Sequence, residues 1–77
     1  MTRVRFFAAA EEAAGAAEET RDETTLDALR SALIADHPGL GGVLPRCAVL
    51  VDGARRDDDA PLTGSETIDV LPPFAGG

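Results

Sequence analysis

A single amphipathic helix, with short strand-like segments on both sides of it, limits this 77-residue chain to few folds. The helix begins at Thr24 or Thr25, either of which can cap a first-turn amide, and His37-Pro38 ends it. Apolar residues recur at helical spacing and form one stripe: Leu26, Leu29, Ala32, Leu33 and Ile34. The helix must therefore bury one face against another layer.

Segments that alternate between apolar and polar residues supply that second layer. Residues 3–8 alternate with period two, which is typical of a half-buried strand. Residues 48–51 form a second strand that ends at the turn dipeptide Asp52-Gly53. Residues 67–71 form the last strand, which two prolines stop because proline cannot donate a ladder hydrogen bond.

The remaining segments are shorter, and none is an internal repeat. The charged segment 17–23 has almost no apolar face, so if it is a strand it belongs at a sheet edge. The others are a helical turn over 9–14 that Gly15 stops, a loop with one turn over 38–46, a return strand at Arg55-Arg56 and an acidic loop over 57–60. The order predicts the α+β class, with a mixed sheet packed on one main helix in one domain over 1–77.

The charge balance disfavours several classes of partner. Fourteen acidic residues face seven basic ones, all of them arginine, and the formal charge is −7. This balance repels phosphate backbones and anionic lipids, so we expect neither nucleic-acid nor membrane binding. It attracts partners that have basic surfaces.

The cysteine content and the N-terminal segment indicate a cytoplasmic protein. Cys47 is the single cysteine, which excludes an intramolecular disulfide and a multi-cysteine zinc site and favours a reducing compartment. The apolar run over 6–10 has five residues before two glutamates. A secretory segment needs roughly 7–15 apolar residues and a membrane span about 18.

No set of side chains predicts a self-sufficient enzyme. The sequence contains no nucleophile–base arrangement, no phosphate-binding loop and no metal-ligand cluster. His37 is interpreted as a residue of the helix end, Cys47 as a structural thiol with Arg46 as its one basic neighbour, and residues 57–59 as a solvated acidic loop.

The C-terminal segment is the strongest candidate for function. Two prolines at 72–73 direct the backbone away from the sheet, and the glycines at 76–77 have no Cβ atoms, so they can pass through a narrow slot. The α-carboxylate of Gly77 is then an unhindered reactive group. The alternative is that terminal glycines simply fray.

Several stretches together carry a resemblance to a known family. The sequence resembles the MoaD family of ubiquitin-fold sulfur carriers, the small subunit of molybdopterin synthase, over essentially the whole chain. The matching stretches are Val4-Arg5-Phe6-Phe7-Ala8, Gly15, Thr25-Leu26-Asp27-Ala28-Leu29, Pro61-Leu62, Gly64-Ser65-Glu66 and the tail over 72–77. The chain departs from the family pattern at Glu11-Glu12-Ala13, Asp52 and Ser65, all away from the tail.

The resemblance implies a ubiquitin-like β-grasp fold and a route for sulfur. An ATP-dependent adenylyltransferase related to ubiquitin-activating enzymes would convert the Gly77 carboxylate to an acyl-adenylate, and sulfur from a donor protein's persulfide would displace AMP. The resulting thiocarboxylate would enter the large synthase subunit, in a heterotetramer, and donate its sulfur to a pyranopterin precursor. Gly76 would permit entry into the partners' channels. The chain itself would bind no cofactor, because the activating partner uses the ATP.

A docking surface is expected beside the tail. In a ubiquitin-like sheet the last strand lies between the first and the third, so that Phe7, Leu50 and Leu71 would adjoin on the face away from the helix. Neighbouring exposed apolar residues mark interfaces, although isolated ones are common. The partner-binding set also includes the tail residues Pro72, Pro73 and Phe74.

Two other functions remain open on the sequence. The chain could carry sulfur for thiazole or cysteine biosynthesis, which use the same kind of fold and tail. It could also be a ubiquitin-like modifier joined to proteins through Gly77, although the lack of lysine excludes lysine-linked polymers of itself.

Overall fold

Five strands, two α-helices and two 3-10 helices follow one another in residues 1–73, which are the residues that the computed structural model describes. They are β1 (Thr2–Phe6), α1 (Ala9–Ala14), β2 (Glu18–Arg21), α2 (Leu26–Asp36), two 3-10 helices (Pro38–Gly42 and Leu44–Arg46), β3 (Ala48–Val51), β4 (Ala54–Arg55) and β5 (Thr67–Leu71). The expected α+β architecture is confirmed.

The five strands form one mixed sheet in the order β2-β1-β5-β3-β4. Strands β1 and β5 are parallel, and the other neighbouring pairs are antiparallel. The last strand therefore lies between the first and the third, as expected for a β-grasp sheet. The charged strand β2 lies at an edge, where its charges discourage pairing with another chain.

One face of the sheet packs on α2 and the 3-10 helices to form the core. The inward residues of the three central strands are buried, except that Val51 is half-buried against the core. The buried apolar side chains are Val4, Phe6, Ala10, Leu26, Leu29, Leu33, Leu40, Leu44, Val49, Ala60, Leu62, Ile68 and Val70. The apolar stripe of the helix thus faces the sheet, as its spacing predicts.

The ends of α2 are defined by local hydrogen bonds. The Thr25 hydroxyl accepts a bond of 3.1 Å from the Ala28 amide, which makes Thr25, and not Thr24, the N-cap. The amide of Asp27 donates to Asp59 Oδ1 at 2.8 Å. The acidic loop is therefore not only solvated, because one of its carboxylates binds the helix N-terminus, where the dipole favours a negative charge.

Three segments differ from the sequence expectation. The return strand expected at Arg55-Arg56 lies at Ala54–Arg55, because the Asp52-Gly53 turn pairs Val51 with Ala54. The strand expected over 3–8 ends at Phe6, because Ala8 adopts φ 52° and ψ −124° and turns the chain into α1. This conformation is unusual for a residue with a Cβ atom. The loop expected over 38–46 contains two 3-10 helices, because Leu40 and Leu44 are buried and hold both turns on the core.

Glu66 organises the turn that precedes the central strand β5. Its carboxylate accepts hydrogen bonds from the amides of Thr63 (2.8 Å) and Gly64 (3.0 Å) and from the Thr63 hydroxyl (3.1 Å). These hydrogen bonds lower the pKa of Glu66 to about 2, because they stabilise the charged carboxylate. The bond from the Thr63 amide has the largest effect.

We expect this carboxylate to make stability depend on pH. A depressed pKa in the folded state contributes stability above the unfolded pKa, about 4.3, and the contribution disappears as the pH falls towards about 2. In thermal melts at pH 6, the midpoint temperature of the wild type should be higher than that of Glu66→Gln. The two midpoint temperatures should converge near pH 2. The exposed Glu12, whose side chain makes no hydrogen bond within residues 1–73, supplies the control Glu12→Gln. A gap that stays constant from pH 6 to 2 would contradict this assignment.

Candidate functional site

The predicted reactive tail begins where the central strand ends. Leu71 is the last residue of β5, Pro72 is buried and Pro73 is exposed. Phe74, Gly76 and Gly77 lie outside the described residues. What the structure defines is the attachment point of the tail.

This attachment point is rigid because β5 pairs on both sides. Val70 lies opposite Phe6 of β1 and Val49 of β3, and Leu71 lies opposite Ala48. The Phe7 amide donates to the Val70 carbonyl at 3.2 Å, which extends the β1–β5 contact by one residue. A segment that leaves from Leu71 is therefore anchored to the middle of the sheet and not to an edge.

A shallow apolar groove lies beside the attachment point. It has a volume of about 210 Å³ and includes both prolines of the tail segment together with residues from the first helix and the 3-10 region: Ala9, Gly42, Val43 and Arg46. Because Pro72 is buried here, the chain leaves the sheet in a direction set by packing as well as by the restricted proline dihedral.

The three apolar residues expected on the outer face do lie on it. Phe7 is 36% exposed, and Leu50 and Leu71 are half-buried. Phe7 follows directly on the Phe6–Val70 pair, which places it beside Leu71. Leu50 lies one step away, because Asp69, and not Leu71, is opposite it.

A bidentate ion pair, which the sequence analysis missed, borders this apolar surface. Arg5 Nε and Nη2 donate to the two carboxylate oxygens of Asp69 at 2.6 and 2.8 Å. The hydrogen bond with Asp69 raises the pKa of Arg5. The Arg5 guanidinium carbon also lies 5.8 Å from the centre of the Phe7 ring, within cation–π range. The pair was predictable once β1 and β5 were placed side by side, since Arg5 and Asp69 are direct partners in the register.

His37 belongs to a polar network between the edge strand β2 and the C-terminal end of α2. Its Nε2 atom lies 2.7 Å from Glu19 Oε1, and its ring meets Phe6 edge-on at 6.1 Å between centroids. Arg21 in β2 binds Glu23 and Asp36, and the hydrogen bond with Arg21 lowers the pKa of Glu23. The network fastens β2 to the end of α2, which agrees with a structural role for His37.

Cys47 precedes β3 and is half-buried. Its Sγ–H donates to the Val43 carbonyl at 3.2 Å, and burial raises the pKa of the thiol. Both effects favour the protonated form, which is a poor nucleophile. The fold also brings Arg30, Arg55 and Arg56 to the same cleft as Cys47, where the sequence indicated only Arg46.

No metal centre is formed by the described part of the chain, where no three His, Cys, Asp or Glu side chains group as ligands. In the same residues, no helix has the length and apolar character needed to cross a bilayer. The described residues thus form an anchored attachment point for the tail and an apolar face bordered by the Arg5–Asp69 ion pair.

The comparisons with known proteins agree with this geometry. The model of the ThiS family matches residues 4–77. No curated protein sequence matches the chain. Among solved structures, the small archaeal modifier protein 1 of Methanosarcina acetivorans has a TM-score of 0.85 and 23% identity, over 99% of this chain and 95% of that one.

Two further similar structures are described as subunits of a molybdopterin-converting factor. Subunit 1 in the complex of subunits 1 and 2 of the molybdopterin-converting factor of Helicobacter pylori is similar at 28% identity, with a TM-score of 0.75 over 99% of this chain and 97% of that one. A putative molybdopterin converting factor subunit 1 of Pyrococcus furiosus has a TM-score of 0.79 and 19% identity, over 94% and 95% of the two chains.

Proposed function

Because this chain belongs to the ThiS family, we propose that it is a sulfur carrier and the small subunit of a molybdopterin synthase, with the sulfur held as a thiocarboxylate at Gly77. The observation that carries the proposal is that the segment whose sequence ends in Gly76-Gly77 starts at the end of the central strand β5, where Leu71 lies on an apolar face. The Helicobacter pylori neighbour, which is in complex with subunit 2 of its converting factor, supports a large-subunit partner.

The division of labour follows from the chemistry of a carboxylate. Its oxygen is a poor leaving group, so a partner must first join the Gly77 carboxylate to AMP at the expense of ATP. The outer sulfur of a donor protein's persulfide then displaces AMP to form an acyl disulfide, and a second thiol cleaves its S–S bond, which releases the thiocarboxylate and leaves that thiol in a disulfide with the donor. The carrier contributes a Cβ-free end at Gly76 and Gly77 and a surface for docking, and its side chains perform no acid–base step.

The second candidate is a ubiquitin-like modifier joined to protein amines through Gly77. The likeness to the small archaeal modifier protein favours it, although at 23% identity that likeness concerns the fold. A carrier for thiazole or cysteine biosynthesis would use the same tail and is separated from the proposal only by its partner.

We expect sulfur loading to be visible in the intact mass. Incubation of the full chain with ATP, an activating enzyme, a persulfide donor and a thiol reductant should increase the mass by the difference between sulfur and oxygen. Deletion of Gly77 should abolish the gain, and Gly41→Ala, a glycine change in the first 3-10 helix where a Cβ atom meets only an ordinary contact with Ile34, should not.

The same reaction mixture separates the candidates. Transfer of the sulfur to a pyranopterin precursor by a molybdopterin synthase large subunit supports the proposal. If the sulfur is transferred only in the presence of a thiazole synthase, the proposed molybdopterin role is contradicted. A covalent conjugate with a protein amine would favour the modifier. Absence of any mass change with every activating enzyme tried would overturn the carrier function itself.

A further inference from the structure

Four of the seven arginines gather around one cleft on the side of α2. Arg30 comes from α2, Arg46 from the second 3-10 helix, Arg55 from β4, and Arg56 follows it. The cleft has a volume of about 420 Å³, within the range of small-molecule sites. We call it the arginine cleft. Arg55 reaches the cleft from the edge strand β4, where its register partner is Leu50 of the outer face.

The floor of the arginine cleft is apolar. Ile34, Leu44 and Val49 line it below the guanidinium groups, together with the half-buried Cys47. An apolar floor under a cationic rim suits a ligand that has an apolar body and an anionic group, because each of the two contacts a matching surface. A bare inorganic anion would leave the floor unused.

The electrostatics of the cleft differ from those of the rest of the molecule. Its four arginines are balanced by the nearby Asp27 and by the three aspartates of loop 57–59, whereas the other three arginines face ten carboxylates. The whole formal charge of −7 therefore belongs to the remainder of the chain. The negative charges of the remainder repel an extended polyanion. A single small anion in the cleft is affected much less, because physiological salt screens charges that lie more than about 8 Å away.

The arginines also keep unused donors. Within residues 1–73, Arg46 has no carboxylate within 4 Å and makes no side-chain hydrogen bond, and it is exposed. Arg55 is bound to Asp57 through Nε at 3.0 Å, which leaves its terminal nitrogens available. Arg30 and Arg56 are held by backbone carbonyls, Arg56 O and Asp59 O, which fixes them at the rim. Guanidinium forks of this kind match the geometry of a phosphate.

We propose that the arginine cleft binds a small organic phosphate, a phosphate monoester on a flat apolar body, with Arg46 and Arg55 holding the phosphate and the apolar floor holding the body. Arg46 also lines the groove beside Pro72 and Pro73, so the arginine cleft borders the attachment point of the tail, but the proposal does not depend on sulfur transfer.

Adenosine 5′-monophosphate is a suitable probe, and amide chemical shifts of the full ¹⁵N-labelled chain are the readout. Titration should move the amides of Arg46, Cys47 and Arg55 in a saturable manner. Adenosine and inorganic phosphate should each bind at least about tenfold more weakly than the nucleotide, since each lacks one half of the recognition. The nucleotide should also slow the alkylation of Cys47 by iodoacetamide, a neutral reagent.

Charge-matched variants make the test specific. Arg46→Gln should weaken nucleotide binding about tenfold, whereas Arg3→Gln, which removes the same charge from the outer face, should leave it unchanged. Equal effects of the two variants would reduce the site to net charge and overturn the proposal. So would shifts confined to other residues, equal binding of phosphate alone or adenosine alone, or tighter binding of a hexaglutamate peptide, which would indicate an acidic protein segment as the ligand.

Discussion

Replacing Phe6 by alanine is expected to destabilise the domain by about 3–5 kcal/mol. Phe6 is 2% exposed, lies in β1 between the sheet and α2, and meets the His37 ring edge-on. Alanine would lose the transfer free energy of the ring and leave a cavity, because close-packed surroundings relax only in part. A chain of this length has a free energy of unfolding of about 4–12 kcal/mol, so most of the stability is at risk.

The neighbouring phenylalanine supplies a matched control. Phe7→Ala makes the same chemical change one residue later, at a side chain that is 36% exposed and outside the core. Urea unfolding followed by circular dichroism should show a midpoint much lower for Phe6→Ala and a clearly smaller decrease for Phe7→Ala. Similar losses in the two variants would mean that the Phe7 ring is part of the core and not of a docking surface.

Replacing Phe7 by aspartate is expected to weaken binding of the proposed large-subunit or activating partner by about 30-fold or more. Aromatic residues at the centre of an interface often contribute 2 kcal/mol or more, and a carboxylate would be buried unpaired in the complex. The new charge would also compete with Asp69 for Arg5, which now contacts the ring.

The control for this prediction is Ser31→Asp, which adds the same charge at an exposed site on α2. Calorimetric titration of each variant with the purified partner gives the two affinities, and thermal melts of the free chains establish that both fold. If Phe7→Asp and Ser31→Asp bind alike, the outer face carries no docking energy and the partner holds the chain through the tail alone.

The elements with strong local signals were predictable from the sequence. Helix α2 was found at both ends because capping and proline are local chemistry, and β5 was found because its alternation stops at two prolines. The resemblance to ubiquitin-fold carriers supplied the strand order, which no local pattern contains. The ThiS family match agrees with it.

What was missed depends on long-range register or on strain. The Arg5–Asp69 pair joins residues 64 positions apart, and the arginine cleft gathers side chains from α2, a 3-10 helix and β4. Neither is visible until the strands are aligned. The sequence pattern places Ala8 in the first strand because alanine has no turn signal, yet the chain turns there with a positive φ that glycine would adopt more readily.

The central position of β5 has a consequence for synthesis on the ribosome. Strands β1 and β3 are made first but do not pair with each other, since β5 lies between them. Until residue 71 has left the exit tunnel, the two halves of the sheet have no shared ladder. A chain that lacks β5 is therefore left with two half-sheets that share no hydrogen bonds, and the sheet forms only once residues 67–71 are available to join them.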